Sequence, residues 1–110
     1  MYYDLEAART KDNRNDVAIL RVESLCPFPF GEVMAELKQY TNATVTWAQE
    51  EPKNAGGWTH VEPRLRNVQA HLGRKAEPSY AGRPMMAAAA TGYGGSHTAT
   101  LKQLLVDAFK

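Results

Sequence analysis

The pattern of apolar and polar residues along the chain predicts four helices. In each of four segments, apolar side chains recur every three or four residues, which places them on one face of a helix. These segments are residues 2–11, 31–40, 58–72 and 96–110. The third contains Pro63 well inside the pattern, so this helix is expected either to be kinked or to begin nearer Glu62 with the proline in its first turn.

Three other segments are predicted as strands, the first two because they are rich in β-branched, apolar and aromatic residues, a composition typical of strands, and the third as a possible short strand. They are residues 17–25, 44–49 and 77–83. The first is a nearly continuous apolar run of the kind that is buried on both faces of a sheet, and it is expected to end before Pro27 because proline cannot donate to a sheet ladder. Strands that alternate with helices predict an α/β fold in which helical crossovers connect the strands of the sheet.

The order of these elements is unusual at its beginning. The chain opens on the predicted helix over residues 2–11, and no capping residue precedes that helix. An α/β domain of this type often starts with a central strand instead. We therefore expect a strand to precede residue 1 in the natural polypeptide, so that the sheet formed by these residues lacks an N-terminal strand.

Size, charge and cysteine content narrow the classes of function. With 110 residues the chain is long enough for one domain, residues 1–110, with a single core. The formal net charge of +1 and the scattered basic residues argue against a nucleic-acid partner. No apolar run approaches the roughly 20 residues of a membrane span. The single cysteine, Cys26, lies among apolar neighbours, which predicts a small buried side chain rather than a reactive thiol.

Residues 47–58, WAQEEPKNAGGW, place two adjacent carboxylates and a glycine pair between a predicted strand and a predicted helix. Open α/β folds bind ligands at this edge of the sheet, so Glu50, Glu51 and Asn54 are candidates for contacts with a ligand or with another domain. The alternative is a structural turn in which one glutamate accepts hydrogen bonds from the first N–H groups of the helix. Adjacent residues of a strand point to opposite faces, so Glu50 and Glu51 cannot both serve one acid/base site.

Two further places could contact an anion. Arg83 lies between Gly82 and Pro84, where a rigid, extended backbone would project its guanidinium toward a carboxylate or phosphate. The alternative is an ion pair with Glu50, Glu51 or Glu77, at the surface or within the domain. Ser96 and His97 follow a glycine-rich stretch at the start of the last predicted helix, where N–H groups attract anions, although a simple helix cap explains the same pattern. The three histidines do not show the spacing of a metal site.

Six blocks of sequence carry information beyond their secondary structure. They are MYYDLEAAR, DVAILRVESLCPFPF, WAQEEPKNAGGW, VEPRLR, YAGRPMMAAAATGY and SHTATLKQLLVDAF. In this order they resemble the C-terminal domain of the E1 component of 2-oxoglutarate dehydrogenase, and the resemblance covers essentially the whole chain. The most specific blocks are W-x-Q-E-E-P-x-N-x-G at 47–56 and Y-A-G-R-P at 80–84.

The resemblance implies a three-layer α/β domain of the transketolase C-terminal type with a mostly parallel sheet. It also implies that the full polypeptide is an oxidoreductase of the tricarboxylic acid cycle that uses thiamine diphosphate and Mg²⁺. Such an enzyme decarboxylates 2-oxoglutarate and passes the succinyl group to the lipoyl group of the E2 succinyltransferase. The family's cofactor motif, GDG followed by a pair of asparagines, is absent here, so both cofactors would be bound by other domains and no catalytic, cofactor or metal residue is assigned to this chain.

The role implied for this domain is structural, with contacts to the rest of the E1 polypeptide and within the E1 homodimer. The family has a strand with an SGK-like turn before the YYDL helix, which agrees with the strand expected before residue 1. The implied compartment is the mitochondrial matrix, with the bacterial cytoplasm as the alternative.

Three other functions stay open at this point. The chain could belong to the related E1 that acts on 2-oxoadipate. It could bind an anionic effector such as an acyl-CoA through Arg83 and residues 92–98. It could also be a small independent enzyme that uses Glu50 or Glu51.

Overall fold

The computed structural model describes residues 1–85 and 102–109 as a small α/β domain. Its elements in chain order are α1 Tyr2–Lys11, α2 Phe30–Lys38, β1 Thr46–Pro52, α3 Trp58–His71 and β2 Ser79–Arg83. Residues 102–108 are also helical. The predicted α/β class is therefore confirmed. Within these two ranges, no helix combines the length and the apolar character that crossing a membrane requires.

The described part of the chain contains a sheet of two parallel strands, β1 and β2. The register pairs Thr46 with Ser79, Trp47 with Tyr80 and Ala48 with Ala81, and after an irregularity Pro52 with Arg83. Parallel neighbours cannot be joined by a tight hairpin, and α3 provides the crossover between them. The β1–α3–β2 unit is thus one of the helical crossovers that the sequence pattern predicts.

The hydrophobic core lies between α2 and α3. Its buried members are Phe28, Val33, Leu37, Val61, Leu65 and Val68. Phe28 precedes α2, whereas the other members recur every three or four residues along α2 and α3, which brings them to one face of each helix, where the two helices pack together. Each fully buried aliphatic side chain contributes about 1.5–3 kcal/mol relative to an exposed one, so this helix pair is a main source of the domain's stability.

Arg74 links the end of α2 to the segment after α3 through hydrogen bonds. Its Nη2 donates to the carbonyl oxygen of Leu37 at 2.6 Å and to that of Tyr40 at 2.8 Å. The last carbonyl groups of a helix have no partner within the helix, and a cation there also interacts favourably with the helix dipole. The side chain therefore stabilises the same helix pair that the core joins.

The strand predicted over residues 17–25 is wrong, because these residues belong to no sheet. A strand requires a neighbour whose backbone groups complete the ladder, and none of the described residues provides one beside this segment. Residues 17–22 instead line, together with residues 46–51, a cavity of about 1110 Å³. The segment has the apolar composition of a strand, but a ladder also requires a neighbouring strand, which composition does not reveal.

Other boundaries differ from the prediction by smaller amounts. The α1 bounds are confirmed, and α3 begins at Trp58 with Pro63 inside the helix rather than near Glu62. The first strand runs on to Pro52, so Glu50 and Glu51 lie within it rather than after it. The predicted helix over 96–110 is confirmed for residues 102–108, and its first turn lies outside the described residues.

Cys26 is exposed, so its predicted burial is wrong. The cysteine lies in a bend, and the chain turns there so that Phe28, two residues later, enters the core instead. Apolar neighbours in sequence therefore did not predict apolar surroundings in space.

Candidate functional site

The candidate site is the carboxyl-terminal half of β1 with the turn into α3, and its centre is the buried side chain of Gln49. This residue is 4% exposed. Its Oε1 accepts hydrogen bonds from Trp47 Nε1 at 2.8 Å and from the backbone N–H of Trp58 at 2.9 Å. Its Nε2 donates to the carbonyl oxygens of Pro52 at 2.9 Å and Glu51 at 3.2 Å. The amide thus uses both acceptor positions and both donors.

This network determines how the strand enters the helix. Two donors face Oε1 and two carbonyl oxygens face Nε2, so the neighbours allow one orientation of the amide. The N–H of Trp58 is one of the groups that a helix start leaves without an intrahelical partner. Its acceptor is Gln49, and not one of the glutamates that the sequence interpretation had offered for this role.

The sequence analysis did not select Gln49, although a signal was present. Trp47 and Gln49 are two residues apart in a strand, so both side chains lie on one face. An amide beside an indole, followed by a strand-to-helix turn, offers donors and acceptors to both.

Gly56 and Gly57 are required for close approach rather than for an unusual backbone angle. A Cβ added to Gly56 would lie 2.6 Å from Gln49 Nε2, and one added to Gly57 would lie 3.0 Å from Leu25 Cδ1. Gly57 has an ordinary φ of −78°. The glycine pair therefore lets the turn pack directly onto the Gln49 amide and onto Leu25.

The neighbouring strand contributes Tyr80 to the same junction. Its hydroxyl donates to the carbonyl oxygen of Arg83 at 2.7 Å, and its ring lies 5.3 Å from that of Trp58 between centroids. Lys53 Nζ is 5.5 Å from the centre of the Tyr80 ring, within the range of a cation–π contact. Burial raises the pKa of Tyr80 above its ordinary value of 10.0. The tyrosine therefore holds its proton and acts as a donor.

The predicted site residues differ in how far their side chains are exposed to solvent. Glu50 is half-buried, whereas Glu51 and Asn54 are exposed at the end of β1. Arg83 is 5% exposed, so its side chain lies inside the domain, and its contact with a carboxylate or phosphate stays a prediction. It lies in β2, in register with the buried Pro52, and its strand position draws the side chain into the domain.

Ser96 and His97, predicted at the start of the last helix, lie outside the described residues. Among the residues that are described, His60 forms a structural hydrogen bond, with Nε2 2.7 Å from the carbonyl oxygen of Leu25. No three histidine, cysteine or acidic side chains within residues 1–85 and 102–109 come together in a way that could hold a metal ion.

This geometry favours a rigid junction over a reaction centre. The polar groups at its centre are engaged with one another through Gln49 and Tyr80, and its exposed rim carries Glu51 and Asn54. A rim of this kind can form hydrogen bonds and ion pairs with another domain or subunit.

Comparison with known proteins identifies the family of the chain. The family model described as 2-oxoglutarate dehydrogenase C-terminal matches residues 1–109. The chain belongs to this family. The matched range contains the blocks WAQEEPKN and YAGRP, which surround Gln49 and Tyr80.

Curated relatives extend the comparison to whole proteins. The chain is 42% identical over 110 residues to a probable 2-oxoadipate dehydrogenase complex component E1 homolog of Dictyostelium discoideum, covering 99% of this chain and 12% of that protein. It is 45% identical over 109 residues to the 2-oxoglutarate dehydrogenase E1 components of Brucella anthropi and Brucella ovis, covering 98% of this chain and 11% of each. The chain therefore spans about one ninth to one eighth of the relatives' length.

Proposed function

We propose that these residues form the C-terminal domain of a thiamine-diphosphate-dependent 2-oxoglutarate dehydrogenase E1 component. The domain would be structural and would help to build interfaces, without catalysing a reaction alone. The observation that carries this proposal is the family match over residues 1–109. The full polypeptide would oxidatively decarboxylate 2-oxoglutarate and transfer the succinyl group to E2 lipoyl groups.

The junction around Gln49 supports a structural role for this domain. Its hydrogen bonds connect β1 to α3 and, through Tyr80, the end of β1 to β2. The exposed Glu51 and Asn54 are the positions we assign to contacts with the rest of E1 or with the second subunit of an E1 homodimer. E2 would be a partner of the assembled enzyme.

Thiamine diphosphate and Mg²⁺ would be bound by other domains of the polypeptide. Magnesium prefers oxygen ligands from one or two carboxylates together with substrate phosphates. Glu50 and Glu51 are adjacent in β1 and point to opposite faces, so they do not form a pair of ligands. No chemical step is therefore assigned to a residue of this chain.

The finer fold that we propose is the three-layer arrangement of the transketolase C-terminal type, in which the parallel β1–β2 pair is part of a larger, mostly parallel sheet. The compartment would be the mitochondrial matrix or, for a bacterial enzyme, the cytoplasm. Relatives from both Dictyostelium and Brucella are consistent with either compartment.

A second substrate deserves a direct comparison because of the Dictyostelium relative, whose name specifies 2-oxoadipate. The two acids differ by one methylene, which a pocket discriminates by only about 1–3 kcal/mol. The choice between them would be made in the domains that hold the substrate. The buried position of Arg83 gives the effector-binding alternative no comparable support.

The test uses the full polypeptide that carries these residues, with thiamine diphosphate and Mg²⁺ added. We expect CO₂ release from 2-oxoglutarate that exceeds release from 2-oxoadipate, and no release by residues 1–110 alone. The matched control is the full polypeptide truncated before these residues, which should lose activity together with its dimeric mass in light scattering. Release of CO₂ by the 110 residues alone, or an active dimer after truncation, would contradict the proposal.

A further inference from the structure

The end of α3 brings two polar side chains together, and we call them the Gln69–Arg74 pair. The N–H of Arg74 donates to the carbonyl oxygen of Gln69 at 2.9 Å, and the N–H of Gly73 donates to that of Ala70 at 3.0 Å. Gly73 has a left-handed φ of +74°. In a glycine cap of this kind, the side chains at the positions of Gln69 and Arg74 commonly contact each other.

Both side chains of the pair carry a buried nitrogen that lacks an acceptor. Gln69 is 1% exposed. Among residues 1–85 and 102–109, nothing accepts a hydrogen bond from Gln69 Nε2 or from Arg74 Nη1. Leaving a buried donor without an acceptor costs free energy, so such donors are paired in most native proteins. Two of them on neighbouring side chains indicate a place where one acceptor group binds both.

The guanidinium of Arg74 also carries a charge without a carboxylate partner in the described part of the chain. Its Nη2 donates to two neutral carbonyl groups at the end of α2. Three other arginines of the described ranges form ion pairs with acidic side chains, namely Arg14, Arg21 and Arg66. Arg74 is half-buried, and a partly desolvated cation is stabilised by an anion that approaches it.

The surface around the pair has an excess of positive charge. Lys75 follows Arg74 in the chain, and Lys38 follows Leu37, whose carbonyl oxygen accepts from Arg74 at 2.6 Å. Both lysines are exposed. The carboxyl ends of α2 and α3 contribute about half a negative charge each. Together with the exposed Glu36, they do not offset the three cationic side chains, so an anion is attracted to this place.

We propose that the Gln69–Arg74 pair binds a carboxylate group, which accepts hydrogen bonds from Gln69 Nε2 and from Arg74 Nη1. A carboxylate has two acceptor oxygens and balances the guanidinium charge, whereas a water molecule balances none of it. Part of the Arg74 side chain is exposed, so the ligand enters from solvent with a small movement of the guanidinium.

Two sources can supply this carboxylate. One is an aspartate or glutamate side chain of the E1 polypeptide outside these residues, a source that rests on the proposed function, since the chain covers 11–12% of the E1 relatives. The other is a free small carboxylate in solution. The chemistry at the pair is the same for both, and the experiments separate them.

The first experiment titrates the 110-residue chain with sodium acetate, with sodium chloride at equal ionic strength as the reference. The side-chain N–H resonances of Gln69 and Arg74 in NMR spectra report on the two donors. We expect acetate to shift both resonances saturably, with a dissociation constant of about 1–10 mM. Chloride should give smaller shifts that do not saturate.

Two variants and a matched control test which groups bind acetate. Gln69→Leu should weaken binding at least about tenfold, because a hydrogen bond to a charged acceptor is lost. Without acetate it should not lower the Tm, because the residue it removes holds an unpaired buried donor. Arg74→Lys keeps the charge but not the planar fork and should also weaken binding. Arg66→Lys changes an arginine that pairs with Glu62 and Glu77, and it should leave binding unchanged.

The full E1 polypeptide distinguishes the two sources. If one of its acidic side chains occupies the pair, Gln69→Leu should lower the Tm of the full polypeptide but not that of the 110-residue chain, and acetate should stabilise only the latter. If a free carboxylate is the ligand, acetate should raise the Tm of both, and Gln69→Leu should abolish that rise in both.

Three results would overturn the inference. They are shifts with acetate no larger than those with chloride, equal acetate binding by the Gln69→Leu variant, and crystals grown with acetate in which water alone or another residue of this chain accepts from both donors. If Arg74→Lys does not fold, Gln69→Leu decides the question. The acetate titration uses neither enzyme activity nor other domains, so its failure is distinct from a failure of the proposed function.

Discussion

Two segments of this chain are predicted to be strands from their sequence and have different structures. Residues 46–52 form β1, paired to β2 and joined to α3 through the Gln49 network. Residues 17–25 are much richer in β-branched and aliphatic side chains, yet they form no ladder. Composition therefore gives a segment a preference for the extended conformation. The segment forms a strand only where a neighbouring backbone completes the ladder and the nearby polar groups are hydrogen-bonded.

The largest expected difference between the two regions is in core burial. Leu65 of α3 is 6% exposed and part of the cluster that packs α2 onto α3, whereas Leu20 is 43% exposed. Leu65→Ala should lower the free energy of unfolding by about 2–5 kcal/mol because it leaves a cavity. Leu20→Ala should cost less than about 1 kcal/mol. Urea unfolding followed by circular dichroism measures both, and equal losses would contradict the comparison.

The next largest loss of stability is expected when the hydrogen bonds of Gln49 are removed. Gln49→Leu removes two acceptor and two donor interactions and leaves the Trp58 N–H and the Trp47 indole N–H without their acceptor. We expect a loss of about 2–4 kcal/mol in the free energy of unfolding. The control is Gln39→Leu, at an exposed position, which should change it by less than about 0.5 kcal/mol.

A conservative variant separates the two halves of this network. Gln49→Glu retains an acceptor for Trp47 and Trp58 and loses the donors to the carbonyl oxygens of Glu51 and Pro52. A carboxylate there should therefore destabilise the turn while the indole contact persists. Stability equal to that of the unsubstituted chain would show that the network does not hold the junction.

A pair of glycine substitutions tests the packing of the turn. Gly56→Ala places a Cβ 2.6 Å from Gln49 Nε2, and since that amide is held by four hydrogen bonds, we expect a loss of about 1–3 kcal/mol. Gly31→Ala is the control, because nothing lies within 4 Å of the added Cβ in α2. Alanine should stabilise that helix by about 0.5–1 kcal/mol. Thermal unfolding of the two variants should shift in opposite directions.

The smallest expected effect concerns Tyr80 at alkaline pH. Burial raises the pKa of Tyr80 above 10.0, so the folded state favours the protonated hydroxyl. Its contribution to stability is present below the pKa of the unfolded chain, and it declines as the pH rises through that value toward the folded one. Tyr80→Phe should flatten this decline and, through the lost bond to the Arg83 carbonyl, cost about 0.5–1.5 kcal/mol at neutral pH. Tyr3→Phe, at a position that is 70% exposed, should leave the alkaline decline unchanged.

Local patterns predicted most of the secondary structure. The bounds of α1 were predicted from spacing alone, and α2, α3, β1 and β2 were placed within a few residues. The most specific blocks, at 47–56 and 80–84, marked the junction where β1 meets α3 and β2. The identity of the junction's central residue was missed, because the partners of Gln49 include the N–H of Trp58, nine residues away.

The sequence by itself determined the α/β class, the helices and membership of the 2-oxoglutarate dehydrogenase C-terminal family. Helices follow from sequence because each turn is closed by hydrogen bonds to residues four positions away. Only the tertiary structure decided that residues 17–25 lack a ladder and that Arg83 is buried. It also decided that Gln49 accepts a hydrogen bond from the first residue of α3. Each of these three features depends on residues that are distant in sequence and meet only in the folded chain. Leaving a buried polar group without a hydrogen-bond partner costs free energy, and this cost favours the arrangement in which such groups are paired.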